Sequence, residues 1–252
     1  MNVLFVPSLG LDLSLLERLA ASVDYPVKFK VALNNGPEGA LDGFKEAHPD
    51  WIVKEPDCGN RGVAGSWNDC AKWFSSEPAW LIMNEDAWFL PGYLEKICKA
   101  ADANLDAPAL FLNDSNAYYC WVHTRAGIER FGDFDENLWP AYMEDSDMRV
   151  RHRLCGVTTY PYALQGLPPL PHGKPRTGGI NYAAMIQGTS LLNRAYWLRK
   201  WGSMDQESAV YQTPYRDHRL TVKDWVWNPQ HRAELWPLWR TFIEQPNPSI
   251  YD

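Results

Sequence analysis

The 252-residue sequence has no apolar run approaching the roughly 18 residues of a membrane-spanning helix, so none is expected. Cysteine is sparse. Cys58, Cys70, Cys98, Cys120 and Cys155 are dispersed, odd in number and form no Cys-x-x-Cys, which excludes a disulfide framework or zinc ribbon. A reduced, cytoplasmic setting is expected. Positive charge is also short. Lys and Arg total 24 against 31 Asp and Glu, a net charge of −7, which argues against non-specific binding to nucleic acid. The opening stretch Met1-Asn2-Val3-Leu4-Phe5-Val6-Pro7 has no basic segment and no small-residue cleavage site, so no secretory leader is expected. Internal repeats, low-complexity tracts and a clear interdomain linker are missing too. What is abundant is tryptophan, 13 residues against 9 Phe. A core does not demand that excess. The flat apolar face and single N–H of Trp suit planar or sugar-like ligands, and equally interfaces.

Hydrophobic residues at 46% and charged residues at 22% exclude a disordered chain. A chain of this length buries roughly three quarters of its unfolded surface and needs no covalent staple. Its first half alternates strand and helix patterns. Strands are expected at 3–6, 27–33, 51–53 and 80–83, where short β-branched and aromatic runs end in turn residues such as Asn34-Asn35-Gly36. Helices are expected at 12–22, 38–47, 63–74 and 93–103, where apolar residues recur at helical spacing. This order predicts a mostly parallel sheet covered by helices. Further strands are expected at 109–112 and 118–122, and helices at 143–154 and 180–201, with Gly156 as a cap.

Four segments are candidates for chemistry. Asn84-Glu85-Asp86 follows the strand at 80–83, and in open parallel sheets ligands bind beyond the carboxyl ends of strands. Adjacent residues there point opposite ways, so one carboxylate suits a ribose hydroxyl and the other a divalent cation on a diphosphate. The same pair also fits an unliganded acidic loop. Asn60-Arg61-Gly62-Val63-Ala64-Gly65-Ser66 opens a helix with small residues, which suits an anion at the free N–H groups or close helix–sheet packing. It matches neither Walker A nor Gly-x-Gly-x-x-Gly. Asp135, Glu136, Glu144, Asp145 and Asp147 gather carboxylates near a helix start. They fit either a general base acting on an acceptor hydroxyl or the helix dipole with Asp145–Arg149 and Asp147–Arg151 ion pairs. His172 lies in a Pro- and Gly-rich loop with Lys174 and Arg176, where an imidazole can complete a metal site and the cations can neutralise phosphate.

In this order the segments resemble a family 2-type glycosyltransferase of the GT-A fold. The resemblance spans about residues 2–202. It rests on Asn60-x-Gly62 with Asn68, on Leu81-Ile82-Met83-Asn84-Glu85-Asp86 with Pro91-Gly92, and on Gly132-Asp133-Phe134-Asp135-Glu136. Trp139-Pro140, Glu144-Asp145-Ser146-Asp147 with Arg151, His172, Tyr196 and Lys200-Trp201-Gly202 complete it. It implies an α/β, Rossmann-like three-layer α/β/α domain with a mostly parallel central sheet. Residues 1–104 form the nucleotide-sugar half, 105–202 the acceptor half, and 203–252 an irregular, aromatic extension. Pro7, Ser8, Asn34 and Asn35 would border the nucleobase; an Asp is commoner in the family at Asn34. Asn60, Arg61 and Gly62 would serve the phosphate side, with Lys174 and Arg176. Glu85 would contact the ribose or diphosphate, Asp86 and His172 would hold Mn²⁺ or Mg²⁺, and Asp145 would be the catalytic base with Glu144 beside it.

The implied activity is transfer of a sugar from a nucleoside-diphosphate sugar, by family frequency a UDP-hexose, to an acceptor hydroxyl, with inversion. The acceptor is a glycan, lipid-linked sugar, protein or modified nucleobase. Retaining transfer, a metal-free glycan-binding module and a sugar-phosphate nucleotidyltransferase are the competing readings. The last expects a Gly-rich loop with Thr-Arg where Pro7-Ser8-Leu9-Gly10-Leu11-Asp12 stands. Among the tryptophans, Trp67 and Trp88 are candidates for lining a donor site, Trp121 and Trp139 for stacking on an acceptor. Trp225, Trp227, Trp236 and Trp239 fall in the tail.

Overall fold

The computed structural model describes residues 1–56, 59–112, 118–157, 159–173, 193–194, 196–197 and 200–203. They belong to two compact units of interleaved segments. The first comprises Met1–Glu55, Asp69–Arg130 and Thr159–Arg176, the second Pro56–Asn68, Phe131–Thr158 and Thr177–Asp252.

The first unit is built on six strands: β1 (Val3–Ser8), β2 (Phe29–Asn34), β3 (Ile52–Lys54), β4 (Ala79–Met83), β5 (Ala109–Phe111) and β6 (Cys120–Thr124). They form one sheet in the order β3-β2-β1-β4-β6-β5. β1 runs parallel to β2 and β4, and β2 parallel to β3. β6 is antiparallel to both β4 and β5. The split follows from the connections. The crossovers among β1–β4 carry α1 (Leu13–Ala21), α2 (Asp42–Ala47) and α3 (Gly62–Trp73), whereas no described helix separates β5 from β6. Parallel strands need the long crossover; neighbours joined without one turn back on themselves.

Alternation along the strands fills both faces. Leu4, Val6, Ala32, Leu81, Met83, Leu110 and Val122 face one core with Leu16 and Leu19 of α1, Phe44 of α2, and Leu94 and Ile97 of α4 (Tyr93–Asp102). Trp80, Trp121 and Phe111 alternate onto the other face, where Phe5 meets Trp73 of α3 at 6.3 Å and Trp80 meets His123 at 5.9 Å. Burial pushes the His123 imidazole down to about 3, so it is neutral. The edge that carries the candidate residues is tied to α1. Asp12 caps that helix by accepting from Ser14 N–H at 3.2 Å, and Ser22 Oγ at its far end accepts from Phe89 N–H at 3.0 Å. Asp24 Oδ2 accepts from Gly92 N–H at 2.6 Å. The loop 84–92 between β4 and α4 is thereby anchored at Phe89 and Gly92 to the chain at and just after the end of α1.

The second unit is organised around α6 (Glu144–Leu154). Val150 packs with Trp197 and Trp201, flanked by Met143 and Leu154. Gly156 follows α6 with φ 74, the left-handed position that ends a helix. The helix α5 (Arg125–Phe131), absent from the sequence expectation, follows β6 directly. At seven residues it is too short to show a periodic apolar stripe. Asn193, Arg194, Tyr196, Trp197, Lys200 and Trp201 are helical, and the tail from 204 onward, with its four tryptophans, lies outside the described residues.

Leu81 in β4 is fully buried in the first core. Leu81→Ala is expected to cost about 2–5 kcal/mol of stability. Urea unfolding should report it as a lower midpoint at unchanged slope.

Candidate functional site

The parallel register of the first unit brings four polar residues to neighbouring strand ends. Ser8 pairs with Asn34 across β1 and β2. One step past the pairing of Leu33 with Lys54 lies Glu55, next to Asn34; three steps past that of Phe5 with Ile82 lies Glu85, next to Ser8. The side chains bond along this line. Ser8 Oγ donates to Glu85 Oε2, and Asn34 Nδ2 donates to Glu55 Oε1 and Oε2 at 2.9 and 3.0 Å. Asn34 also donates to Pro37 O at 2.7 Å and accepts from Gly36 N–H at 2.8 Å. Asn35 N–H donates to Ser8 O at 2.7 Å. A Cβ on Gly36 would fall 2.0 Å from Leu9 O, so only glycine lets the loops after β1 and β2 approach this closely. Pro7 is half-buried in the same strand end.

Burial pushes the Glu85 carboxyl up to about 7. The Ser8 hydroxyl and a backbone bond from Leu9 act against that rise, and the charges of Asp86 and Asp12 add to it. Asp86 is buried and its carboxyl is also raised, first by desolvation, while its own backbone N–H and the charge of His172 oppose the shift. A short antiparallel bridge holds these two partners side by side. Ala87 bridges His172, Gly173 N–H donates to Asp86 O at 2.6 Å, and Trp88 N–H donates to Pro171 O at 3.2 Å. The exposed His172 ring lies 4.8 Å from Tyr119.

A carboxylate and an imidazole form a mixed oxygen–nitrogen donor pair that suits Mn²⁺ better than Mg²⁺. Among the described residues no group of three or more His, Cys, Asp or Glu side chains is placed to hold a metal. Asp86 and His172 by themselves would leave most positions around such an ion to a ligand's oxygens and water.

In the second unit, the start of α3 is committed to packing. Gly62 has φ 68, its N–H donates to Asn60 Oδ1 at 2.6 Å, and Val63 N–H donates to Pro140 O at 2.7 Å. A Cβ on Gly62 would lie 2.7 Å from Trp139 Cδ1. Two of the helix's first amides are thus satisfied within the protein. Arg61 Nη2 pairs with Glu136 Oε1 at 3.2 Å, and Asn68 Nδ2 donates to the same oxygen at 3.2 Å. Lys174 and Arg176 lie outside the described residues.

The carboxylates of the second unit divide by role. Asp147 is fully buried, 2.5 Å from Arg151 and 2.7 Å from Lys200, and accepts from Trp201 Nε1 at 2.8 Å. Burial opposes its ionisation, but Arg151, Lys200 and Trp201 outweigh it and hold the carboxyl below its ordinary range. Lys200 also reaches Asp135 at 2.8 Å, and the Tyr196 hydroxyl donates to Asp135. Asp145 and Glu144 are outside this network. Asp145 is half-buried and Oδ1 accepts from Ser146 N–H at 2.6 Å. Glu144 is buried, and its Oε2 has no hydrogen-bond partner among the described residues. Burial pushes its carboxyl up to about 8, with Asp145 and Asp147 adding to the rise.

Just before this pair the backbone is strained. Tyr142 and Met143 have φ 77 and 76, positions that cost a non-glycine residue roughly 1–2 kcal/mol. Asn193 holds the turn, donating from Nδ2 to Ala141 O at 2.9 Å and Tyr142 O at 3.2 Å. Such strain persists only where the surroundings impose it.

Among solved structures, the chain is similar to the mannosyltransferase PcManGT from Pyrobaculum calidifontis in complex with GDP-Man and Mn²⁺. The TM-score is 0.53 at 16% identity, covering 96% of this chain and 72% of that one. It is also similar to S. aureus TarS 1-349, at 14% identity and a TM-score of 0.47, covering 60% of this chain and 55% of that one. The UDP complex of TarS gives 12% identity at the same TM-score and coverage. No family model matches the sequence, and a comparison with curated proteins finds no match. The likeness to PcManGT settles the architecture. The chain has a GT-A-type glycosyltransferase fold.

Within this GT-A fold, three site features escaped sequence reasoning. Glu55 follows a strand just as Glu85 does, so its signal was present but lay outside the family motifs. Asn193 sits in a helical pattern where nothing singles it out. The sorting of the carboxylates into paired and unpaired ones depends on Lys200, remote in sequence. The tryptophans require correction. Trp67, Trp121 and Trp139 are at most 3% exposed and cannot stack on a ligand. Trp67 meets Phe134 at 4.7 Å, Trp121 meets His123 at 4.8 Å, and Trp139 Nε1 donates to Asn60 O at 3.1 Å. Trp88 is half-buried, with the Arg18 guanidinium 4.8 Å from its ring centre.

Two outcomes follow for the second unit. Asp147→Asn leaves Arg151 and Lys200 facing a neutral partner and is expected to cost about 3–5 kcal/mol, read from denaturant unfolding. Glu144 gives a pH signature of opposite sense to a salt-bridged acid. Its folded-state value of about 8 exceeds the ordinary 4.5, so its stabilising contribution is complete below about 4.5 and is lost as pH rises through 8. Glu144→Gln should flatten that decline and melt above the wild type at pH 9, by calorimetry.

Proposed function

We propose that this chain is a metal-dependent glycosyltransferase that moves a sugar from a nucleoside-diphosphate sugar to an acceptor hydroxyl. The pairing of Asp86 with His172 at the ligand edge of a GT-A sheet carries this reading. The mannosyltransferase that shares the fold is seen with GDP-Man and Mn²⁺, which supports a donor and cation of this kind. Asp86 and His172 hold the cation, and Mn²⁺ bound there supplies charge stabilisation to the departing diphosphate.

The remaining work falls to the chain's own groups. Glu85, oriented by the Ser8 hydroxyl, binds a ribose hydroxyl or the diphosphate. Pro7, Ser8, Asn34 and Asn35 border the base end of the donor. Asn60, Arg61 and Gly62 support the phosphate side through the packed start of α3, and Lys174 and Arg176 neutralise phosphate charge. Asp145 takes the proton of the acceptor hydroxyl, which attacks the anomeric carbon opposite the diphosphate and inverts the configuration. Its carboxylate is free of the Lys200 network that neutralises Asp135 and Asp147, which supports its assignment as the base. Glu144 lies beside it at the acceptor. A hexose is the expected sugar, after the commonest donors of the resembling family.

Thermal melting with nucleoside diphosphates, with and without Mn²⁺, tests the donor site. A nucleotide bound well above its Kd raises the melting temperature only when the ion is present. Asp86→Ala should abolish that shift. Asp145→Asn should keep it and lose transfer by a factor of at least about 10². Absence of a metal-dependent shift with every nucleotide would sink the reading, and full turnover by Asp145→Asn would sink the base. NMR of the product's anomeric proton checks inversion: retention of the donor's configuration refutes it.

A further inference from the structure

We propose that Tyr119 and Gly173 fix the His172 imidazole so that its Nε2 is the nitrogen that ligates the cation. The inference rests on the reading of Asp86 and His172 as cation ligands and deepens it.

Tyr119 reaches this place through the antiparallel strand. Met83 pairs with Cys120 across β4 and β6, so the residue before β6 lies against the residue after β4. Asn84 N–H donates to Tyr119 O at 2.7 Å and continues that row. The parallel strands bring their carboxyl ends to this edge, whereas β6 brings its amino end. The segment that carries His172 docks on residues 86–88 through the Ala87 bridge. Tyr119 and His172 are thus pinned by backbone bonds to two points of the same loop, on either side of Glu85.

The side chains complete the arrangement. The Tyr119 ring lies 4.8 Å from the imidazole, centre to centre, with the planes at 42°. Tyr119 is half-buried and packs against the first core, so its ring is a fixed wall. His172 is exposed. An exposed imidazole turns about a broad, roughly two-fold torsion, and binding an ion costs it that freedom. The wall removes part of the cost before the ion arrives. Tyr119 is a positioning residue acting through His172.

A flat wall does not distinguish the two flips of an imidazole, because it meets the ring face. Gly173 O does. It lies 3.3 Å from His172 Nδ1, and a carbonyl oxygen only accepts, so in the neutral ring Nδ1 carries the proton. Nε2 then holds the lone pair that a metal requires. The glycine that supplies this carbonyl is itself held by its N–H on Asp86 O at 2.6 Å. One residue therefore ties the tautomer of the imidazole to the position of the carboxylate beside it.

Long-range proton–nitrogen NMR of the full isotope-labelled chain reads the tautomer, with the His172 signals identified by their loss in His172→Gln. The neutral ring should show Nδ1–H, whereas free histidine favours Nε2–H. Adding Mn²⁺, alone and again with GDP or UDP, should broaden the His172 signals. Tyr119→Phe keeps the ring and should broaden at the same ion concentration as the wild type. Tyr119→Leu and Tyr119→Met keep apolar bulk without a flat ring and should need about tenfold or more Mn²⁺. An Nε2–H tautomer overturns the inference with no variant needed. So does a folded Leu or Met variant that binds Mn²⁺ as the wild type does, or a Phe variant that loses as much as they do. Each of these results leaves Asp86 and His172 standing as ligands. His172 signals untouched by Mn²⁺ under every condition overturn the cation reading and the inference together.

Discussion

The parallel pairing of β1 with β2 on one side and β4 on the other is the constraint from which the polar line at the strand ends follows. Parallel strands all point their carboxyl ends to one edge, and the residues that leave those ends must turn into loops there. Register then decides which residues meet. Ser8 stands opposite Asn34, and the continuation of the same rows brings Glu85 and Glu55 to either side. A slip of one residue would send each of these side chains to the opposite face. The fully buried apolar β4 resists such a slip, because Leu81 and Met83 would leave the core they now fill.

The second unit solves a different problem. Its helix α6 starts with three acids in the first turn, a favourable arrangement for the dipole but one that crowds negative charge. Lys200 relieves that crowding by lying between Asp135 and Asp147, and Arg151 completes the neutralisation. These pairs are buried, so their value lies less in net stability than in the penalty for breaking them. The consequence is a sorting of identical functional groups. Asp135 and Asp147 become scaffold, while Asp145 stays half-buried outside the network and Glu144 is buried without a partner for one oxygen. The left-handed residues Tyr142 and Met143, pinned by Asn193, set the point at which that sorting begins.

Much of this fold is legible in the amino-acid order. The short apolar runs that became β1 to β4 and the leucine spacing of α1 are local signals, and local physics produces them. The strand-end acids Glu85 and Asp86 were legible for the same reason: a buried strand followed at once by carboxylates is a local pattern. The helix α5 was not, being too short for periodicity, and the antiparallel course of β6 was not, because strand direction depends on the partner. The tryptophans misled most. Their number suggested ligand stacking, yet Trp67, Trp121 and Trp139 fill interiors. Composition reports how much aromatic surface exists and nothing about which side of a sheet or helix receives it.

The sequence by itself determined the element order, the alternating strand and helix pattern of a sheet with crossovers, and the identity of the acids available for chemistry. Each of these depends on contacts within a few residues along the chain. Tertiary structure alone decided the roles. Whether a carboxylate is neutralised, lifted in pKa by burial or left facing solvent depends on groups that are distant in sequence. Lys200 reaches back to Asp135, Asn193 to Tyr142, and His172 lies beside Asp86 only because a bridge at Ala87 brings it there. Electrostatic energy depends on distance and burial, and folding sets both after the local pattern is complete.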